Sequence, residues 1–280
     1  MTFNDLFNDL QNLTKLDNLT FSIIGYSTMG LPIYCFHIGN FTGKQILMEG
    51  GIHAREYLST LFLIKETEYL TTQTIEDGGI YIIPCVNPDG IRLVLSGFEG
   101  LTCQKQKDIL TLINNGSNNF NLWKANINGV DLNVNFDAWW GKGAQNVFCV
   151  APENFVGYYP NSEREVNNLI NVTFEINPSL TISWHTKGEV IYYGFDALTA
   201  SEITRDRLIA EQFSNLNGYA VIKTSNSVGG YSDWVSLNLR VPAFTIEIGN
   251  PNLSHPITVD QLDVVFEQNK QVPLLALELA

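Results

Sequence analysis

Seven short runs rich in β-branched and aromatic residues punctuate this chain: FSIIGYS (21–27), LPIYCFHIG (31–39), QILMEG (45–50), GIYIIPCV (79–86), LTISWH (180–185), VIYYGF (190–195) and AFTIEIG (243–249). Residues of this kind suit a pleated, half-buried surface, so each run predicts a strand. Helical spacing of apolar residues separates them at 54–72, at 162–174 and again at 201–217. Strands alternating with helices predict an α/β layered fold. The first two runs flank STMG (27–30), a hairpin turn, so the sheet is expected to be mixed rather than wholly parallel.

With 280 residues, 45% of them hydrophobic, the chain can bury a large core. No linker divides it, and the one low-complexity stretch, NNGSNNFN (114–121), is short enough to be a surface loop, so residues 1–280 are expected to form a single domain. A net charge of −13 and a pI near 4.6 argue against nucleic acid or an anionic membrane as partner. Small substrates stay open. The N-terminus has no basic start followed by an apolar core, and Leu6, Leu10 and Leu13 instead mark an amphipathic helix. No apolar run approaches the roughly 18 residues of a membrane span. A cytoplasmic setting is the expectation from these features, with non-classical export left open. Cys35, Cys85, Cys103 and Cys149 show no CxxC spacing and read as small hydrophobes rather than as a disulfide framework.

Ligands in an α/β sheet bind where strands end at their carboxyl edge. Three runs end there in groups able to bind metal or move protons: QILMEGGIH in His53, LTISWH in His185 and AFTIE in Glu247. Two histidines and one carboxylate, with a fourth position left to water, make a hydrolytic zinc site, and the handful of known examples includes carboxypeptidase A. His53, Glu56 and His185 supply that set. The i, i+3 spacing of His53 and Glu56 brings both to one side of a first helical turn, and Gly50 and Gly51 allow a sharp exit from the strand. An isolated His-x-x-Glu also arises by chance, which is why His185 matters. Of the remaining histidines, His37 alternates within a strand and reads as structural, while His255 in NLSHPIT is a loop residue that either lines a pocket or is solvated, the second being the expectation. Glu247, ending an apolar strand, is either the general base for a metal-activated water or the partner of a nearby cation.

The ordered segments GGIHARE, VNPDG (86–90), GVDLNVNFD (129–137), SWHT, GGYSDW (229–234) and FTIEIG resemble those of the zinc carboxypeptidase family, the carboxypeptidase A-like metallopeptidases. The resemblance spans nearly the whole chain. It implies a mixed twisted β-sheet flanked by helices, one zinc ion, and a peptide as substrate. It also implies roles: His53, Glu56 and His185 as ligands, Glu247 as the base that activates water and returns its proton, and Asp131 as the partner that orients His53. Arg55 and Asn133 match residues that contact substrate.

Three positions depart from the family pattern. Where the arginine that grips a substrate's terminal carboxylate is expected, this chain has Val134, and an apolar side chain cannot replace a guanidinium fork. Lys124 stands for the arginine that polarises the scissile carbonyl. Ser225 stands near the mobile capping tyrosine, with Tyr231 as a candidate replacement. Together with WKANINGVDLN (123–133), these changes resemble a bacterial branch, the γ-D-glutamyl-meso-diaminopimelate peptidases, which cut cell-wall peptides. The expectation is therefore a zinc peptidase acting on murein peptides. The alternatives are a carboxypeptidase with its anchor relocated to Arg240 or Arg164, a zinc deacylase of the same fold, and a non-catalytic binding protein.

Overall fold

The computed structural model describes residues 1–280, and all seven expected strands belong to one eight-stranded sheet. In chain order they are β1 (Thr20–Tyr26), β2 (Pro32–Gly39), β3 (Gln45–Gly50), β4 (Gly79–Ile83), β5 (Leu180–Thr186), β6 (Val190–Tyr193), β7 (Ala220–Lys223) and β8 (Ala243–Ile248). Across the sheet the order is β1-β2-β4-β3-β5-β8-β6-β7. The central strands β4, β3, β5 and β8 run parallel, whereas β1–β2, β2–β4 and β6–β8 are antiparallel. The sheet is mixed, as the hairpin at STMG required.

Nine helices cover it: α1 (Phe3–Asn12), α2 (Tyr57–Leu70), α3 (Pro88–Ser96), α4 (Gln104–Ile113), α5 (Arg164–Ile176), α6 (Ala200–Asn217), α7 (Tyr231–Asn238), α8 (Leu262–Asn269) and α9 (Val272–Leu279). The period of two along the central strands sorts side chains between two cores. Ile46 and Met48 of β3, Ile182 and Trp184 of β5, and Ile246 and Ile248 of β8 face the core made with α1, α2, α6, α8 and α9. Leu47 and Ala243 face the other, closed by Val166 and Leu169 of α5 and by Trp234 and Val235 of α7. The N-terminal helix buries Leu6 and Leu10, with Leu13 just beyond it, as its spacing predicts.

The connections explain where a site must lie. From β3 the chain crosses through α2 to β4 on one side of it, and later returns through α5 to β5 on the other side. That reversal opens a crevice at the carboxyl ends of β3 and β5.

Some elements escaped the sequence reading. AVIK of β7 is a largely exposed edge strand and lacks the apolar density of the others. VNPDG is not simply a turn: Asn87 accepts a hydrogen bond from Gly90 N and caps α3, with Pro88 in its first turn. All four cysteines are free; Cys35 and Cys85 are buried as expected, but Cys103 and Cys149 are exposed.

One buried carboxyl group stands apart from the site. Glu66 of α2 is fully buried, neither of its oxygens has a partner, and burial pushes its carboxyl up to about 9 despite the counter-effect of Lys270. Below the ordinary value of 4.5 it costs nothing. Between 4.5 and about 9 the folded chain holds a proton that the unfolded chain releases, so stability falls as pH rises, by about 1.4 kcal/mol per unit. Glu66→Gln is expected to remove this slope: urea unfolding at pH 5 and pH 8 should show the variant gaining on the parent by about 4 kcal/mol between the two.

Candidate metal centre and cleft

The turn after β3 is built for a sharp exit. Gly51 has φ +64°, and a Cβ there would meet Thr60 Oγ1 at 2.3 Å. Gly51 N is held by Ser59 Oγ, and Val86 and Asn87 donate their amides to Gly50 O and Gly51 O. Asn87 also donates through Nδ2 to Ile52 O and Ala125 O, both at 3.1 Å, tying this turn to the 123–131 segment. A short 3-10 turn, Ala54–Glu56, then leads into α2 and places His53 and Glu56 side by side.

His53 Nδ1 lies 3.0 Å from Glu56 Oε1, His185 Nδ1 lies 3.0 Å from Glu56 Oε2, and the two Nδ1 atoms are themselves 3.0 Å apart. Thr186 N donates to Glu56 Oε2 at 3.1 Å, fastening the carboxylate to β5. All three side chains are buried, and their ligand atoms fall within 4.8 Å of one another. Hydrogen bonds alone do not satisfy this arrangement, because two ring N–H groups donating to one carboxylate would set their protons against each other. A single cation does. Ligands on a tetrahedral zinc sphere with bonds of about 2.1 Å are spaced by about 3.4 Å, close to the separations here. The donor set, two imidazoles and a carboxylate, is one that zinc takes.

Asp131 supports the first ligand from behind. It is fully buried, with Oδ1 3.2 Å from His53 Nε2 and 3.1 Å from Asn133 N, and with Oδ2 2.8 Å from Lys124 Nζ and 3.1 Å from Asn154 N. Burial alone would raise its carboxyl, but the Lys124 and His53 charges overcome that and hold it well below the usual range. Burial likewise opposes a charge on Glu56, and His53 and His185 reverse the balance, leaving it ionised. His53 is penalised by burial, yet Glu56 raises it above its ordinary value. Lys124 follows the same logic, with burial outweighed by Asp131 and Glu56.

Glu247 pairs in register with His185 across β5 and β8. Its Oε2 is buried without a partner, and burial, reinforced by Glu56 and tempered by His185 and Lys124, pushes it up to about 7. No ion pair engages it, so the cation partner considered as the alternative is not present in this structure.

A cleft of about 520 Å³ runs from these residues; His53, His185, Glu247 and Lys124 line it together with Asn133, Val134 and Lys223. Asn133 reaches it while its Oδ1 accepts from Tyr231 N at 2.9 Å. Beneath it, Ser232 Oγ sits 3.2 Å from Ser183 Oγ and 3.1 Å from Thr245 Oγ1, a neutral hydroxyl wall.

Four expectations need correction. Tyr231 is fully buried, packed on Phe136 and Trp234, with its hydroxyl 2.8 Å from Thr173 Oγ1, so it does not reach the cleft to replace the missing tyrosine. Arg240 is held by Ala197 O and Glu202, and Arg164 is exposed at the start of α5; neither lines the cleft. His255 is not a solvated loop residue: it is half-buried, and the charges of Glu56, Arg55, Lys187 and His53 all bear on it. His37, by contrast, is structural as read, 3.2 Å from Gln45 Oε1 and stacked on Phe41. Lys223, whose Nζ is 2.6 Å from Asp196 Oδ1, is a cleft cation that the sequence reading missed, because nothing in AVIK marks it.

A family profile described as zinc carboxypeptidase matches residues 8–271. Gamma-D-glutamyl-L-diamino acid endopeptidase 1 of Lysinibacillus sphaericus is 32% identical, the alignment covering 99% of this chain and 72% of that protein. Among solved structures, bovine thrombin-activatable fibrinolysis inhibitor is similar at a TM-score of 0.77 and 18% identity, covering 99% of this chain and 95% of that one. The murein-tripeptide amidase of Escherichia coli O157 is similar at a TM-score of 0.60 and 22% identity, covering 93% and 91%. Both structural likenesses bear on the fold.

Removing the support behind His53 tests the centre directly. Asp131→Asn keeps the shape but takes away the charge that orients the imidazole, and zinc affinity measured by chelator competition is expected to fall about 10–100-fold. Unchanged affinity would mean that Asp131 serves only Lys124.

Proposed function

Because the chain belongs to the zinc carboxypeptidase family and is a zinc metallopeptidase, we propose that it hydrolyses the γ-D-glutamyl-diamino acid bond of murein peptides. The observation that carries this reading is Val134 in the cleft wall. A C-terminal α-carboxylate of an ordinary peptide needs a fork of donors there, and this wall offers an apolar side chain instead. The nearby cations are both engaged, Lys124 by Asp131 and Lys223 by Asp196. Lys223 still offers a point charge to a carboxylate of a diamino diacid, which suits a rearranged clamp. The relative from Lysinibacillus sphaericus supports the same substrate class.

In this reading His53, Glu56 and His185 hold zinc, which would acidify a water molecule and polarise the scissile carbonyl. Glu247, near 7, is matched to taking a proton from water and returning it to the leaving amine at neutral pH. Lys124 stays protonated at the cleft edge, and with one N–H spent on Asp131 it has others to give to the oxygen that gains charge. Asn133 keeps its Nδ2 for the substrate, since its Oδ1 is spent on Tyr231 N.

The test is mass spectrometry of products after incubating zinc-loaded protein with L-Ala-γ-D-Glu-meso-diaminopimelate and, separately, with an α-linked peptide bearing a free C-terminus. Cleavage of the γ-bond alone is expected, and Glu247→Gln should reduce it about 10²–10⁴-fold with zinc content unchanged. Stepwise trimming of the α-linked peptide would refute the substrate assignment and make Lys223 the anchor of an ordinary carboxypeptidase.

A further inference from the structure

This chain carries 29 acidic and 16 basic side chains, so a group of cations beside its metal ligands calls for an explanation. Arg55 and Lys187 form one, with His255 beside them, and none of the three lines the cleft described above.

Arg55 stands between the ligands His53 and Glu56 in the chain. Its Nη1 is spent, 3.0 Å from Glu153 Oε2 and 3.2 Å from Leu122 O. Its Nε is buried with no partner, and no hydrogen bond or ion pair involves Nη2. The Nε–Nη2 edge, which can grip a carboxylate with two parallel bonds, is therefore free. Lys187 lies two residues past His185 and spends one N–H on Pro251 O at 2.5 Å, leaving two. His255 is in the same loop as Pro251, after β8, and its buried Nδ1 has no partner. Burial lowers its pKa, and although Glu56 pulls it up, Arg55, Lys187 and His53 press it further down. It is a neutral imidazole with a ring N–H to donate.

The direction of the substrate follows from Glu247. That carboxyl lines the cleft, and in the proposed reaction it returns a proton to the leaving amine, so the leaving residue occupies the cleft. The acyl residue is then expected outside the cleft, where Arg55 and Lys187 stand next to the ligands in the chain. In an α-linked peptide the acyl residue continues there as an uncharged amide. A γ-linked glutamate instead projects its own α-carboxylate, because that carboxyl is not part of the chain.

We infer that Arg55, Lys187 and His255 form a carboxylate subsite on the acyl side of the scissile bond, occupied by the free α-carboxylate of the γ-linked residue. The identity of that residue rests on the γ-glutamyl reading, whereas the subsite requires only an acidic acyl residue.

The experiment is calorimetric binding to zinc-loaded Glu247→Gln protein, with and without the added pair Lys187→Met and His255→Gln. Arg55 is left intact because it also holds Glu153 and the ligand turn. The ligands are L-Ala-γ-D-Glu-meso-diaminopimelate and the same peptide with its glutamyl α-carboxylate amidated. The protein with Lys187 and His255 intact is expected to bind the acid at least tenfold more tightly than the amide, and the added pair of substitutions should bring that ratio close to one with zinc content unchanged. Equal binding of acid and amide, or a preference that survives the substitutions, overturns the subsite. If neither γ-linked peptide binds, α-linked tripeptides with Asp or Asn as the acyl residue decide. An Asp preference lost in the variant keeps the subsite and discards the γ-glutamyl reading; no preference discards both.

Discussion

The buried carboxylate of Asp131 is the interaction on which the centre depends. An ionised carboxylate out of water is expensive unless it is paired and hydrogen-bonded, and Asp131 is both, with Lys124, His53 and two backbone amides around it. Each partner belongs to a different part of the site: His53 to the ligand turn, Lys124 to the cleft edge, Asn133 to the cleft wall and Asn154 to the loop beyond. One buried charge thus fixes the mutual positions of groups that lie far apart in the chain. Glu56 does the same on the other side, joining His53, His185 and the backbone of β5.

Around these two carboxylates the fold works as a positioning device. The parallel neighbours β3, β5 and β8 end at one edge and deliver His53, His185 and Glu247 from three separate segments. Asn87, at the end of the fourth parallel strand, stitches the ligand turn to the segment that carries Lys124 and Asp131, while capping α3 with its other side-chain atom. The glycine at 51 is required there because its positive φ and the closeness of Thr60 leave no room for a side chain.

The surroundings of the centre are asymmetric. One part is a roomy cleft with neutral hydroxyls, a valine and the paired cations Lys124 and Lys223 in its wall; outside it stand Arg55, Lys187 and His255, each with an unspent donor. In the proposed reading, carboxylate-binding donors stand on the acyl side and no guanidinium fork stands in the cleft, which differs from what a carboxypeptidase of ordinary peptides requires. That difference is the physical content of the proposal that the substrate carries a free carboxylate before the scissile bond.

Much of this was legible in the residues themselves. Strand runs, the His-x-x-Glu turn, His185 and Glu247 could be read because each depends on a short local pattern: apolar periodicity, glycines at a sharp exit, a polar residue ending an apolar strand. Seven of eight strands followed, and β7 did not, since an exposed edge strand needs little apolar density. Of the three ligands, His53 and His185 could be read from strand ends and Glu56 from its i, i+3 spacing to His53. Tertiary structure decided what each remaining group has left to offer. Tyr231 looked available in sequence but spends its hydroxyl on Thr173 inside a core; Arg240 and Arg164 do not line the cleft; Lys223 becomes a cleft residue only when β7 packs at the edge of the sheet. Residue type and local spacing determine which chemistry a chain can hold. Which hydrogen-bonding atoms remain free, and on which side of the metal they lie, is set by contacts between segments a hundred or more residues apart, and no local pattern encodes those.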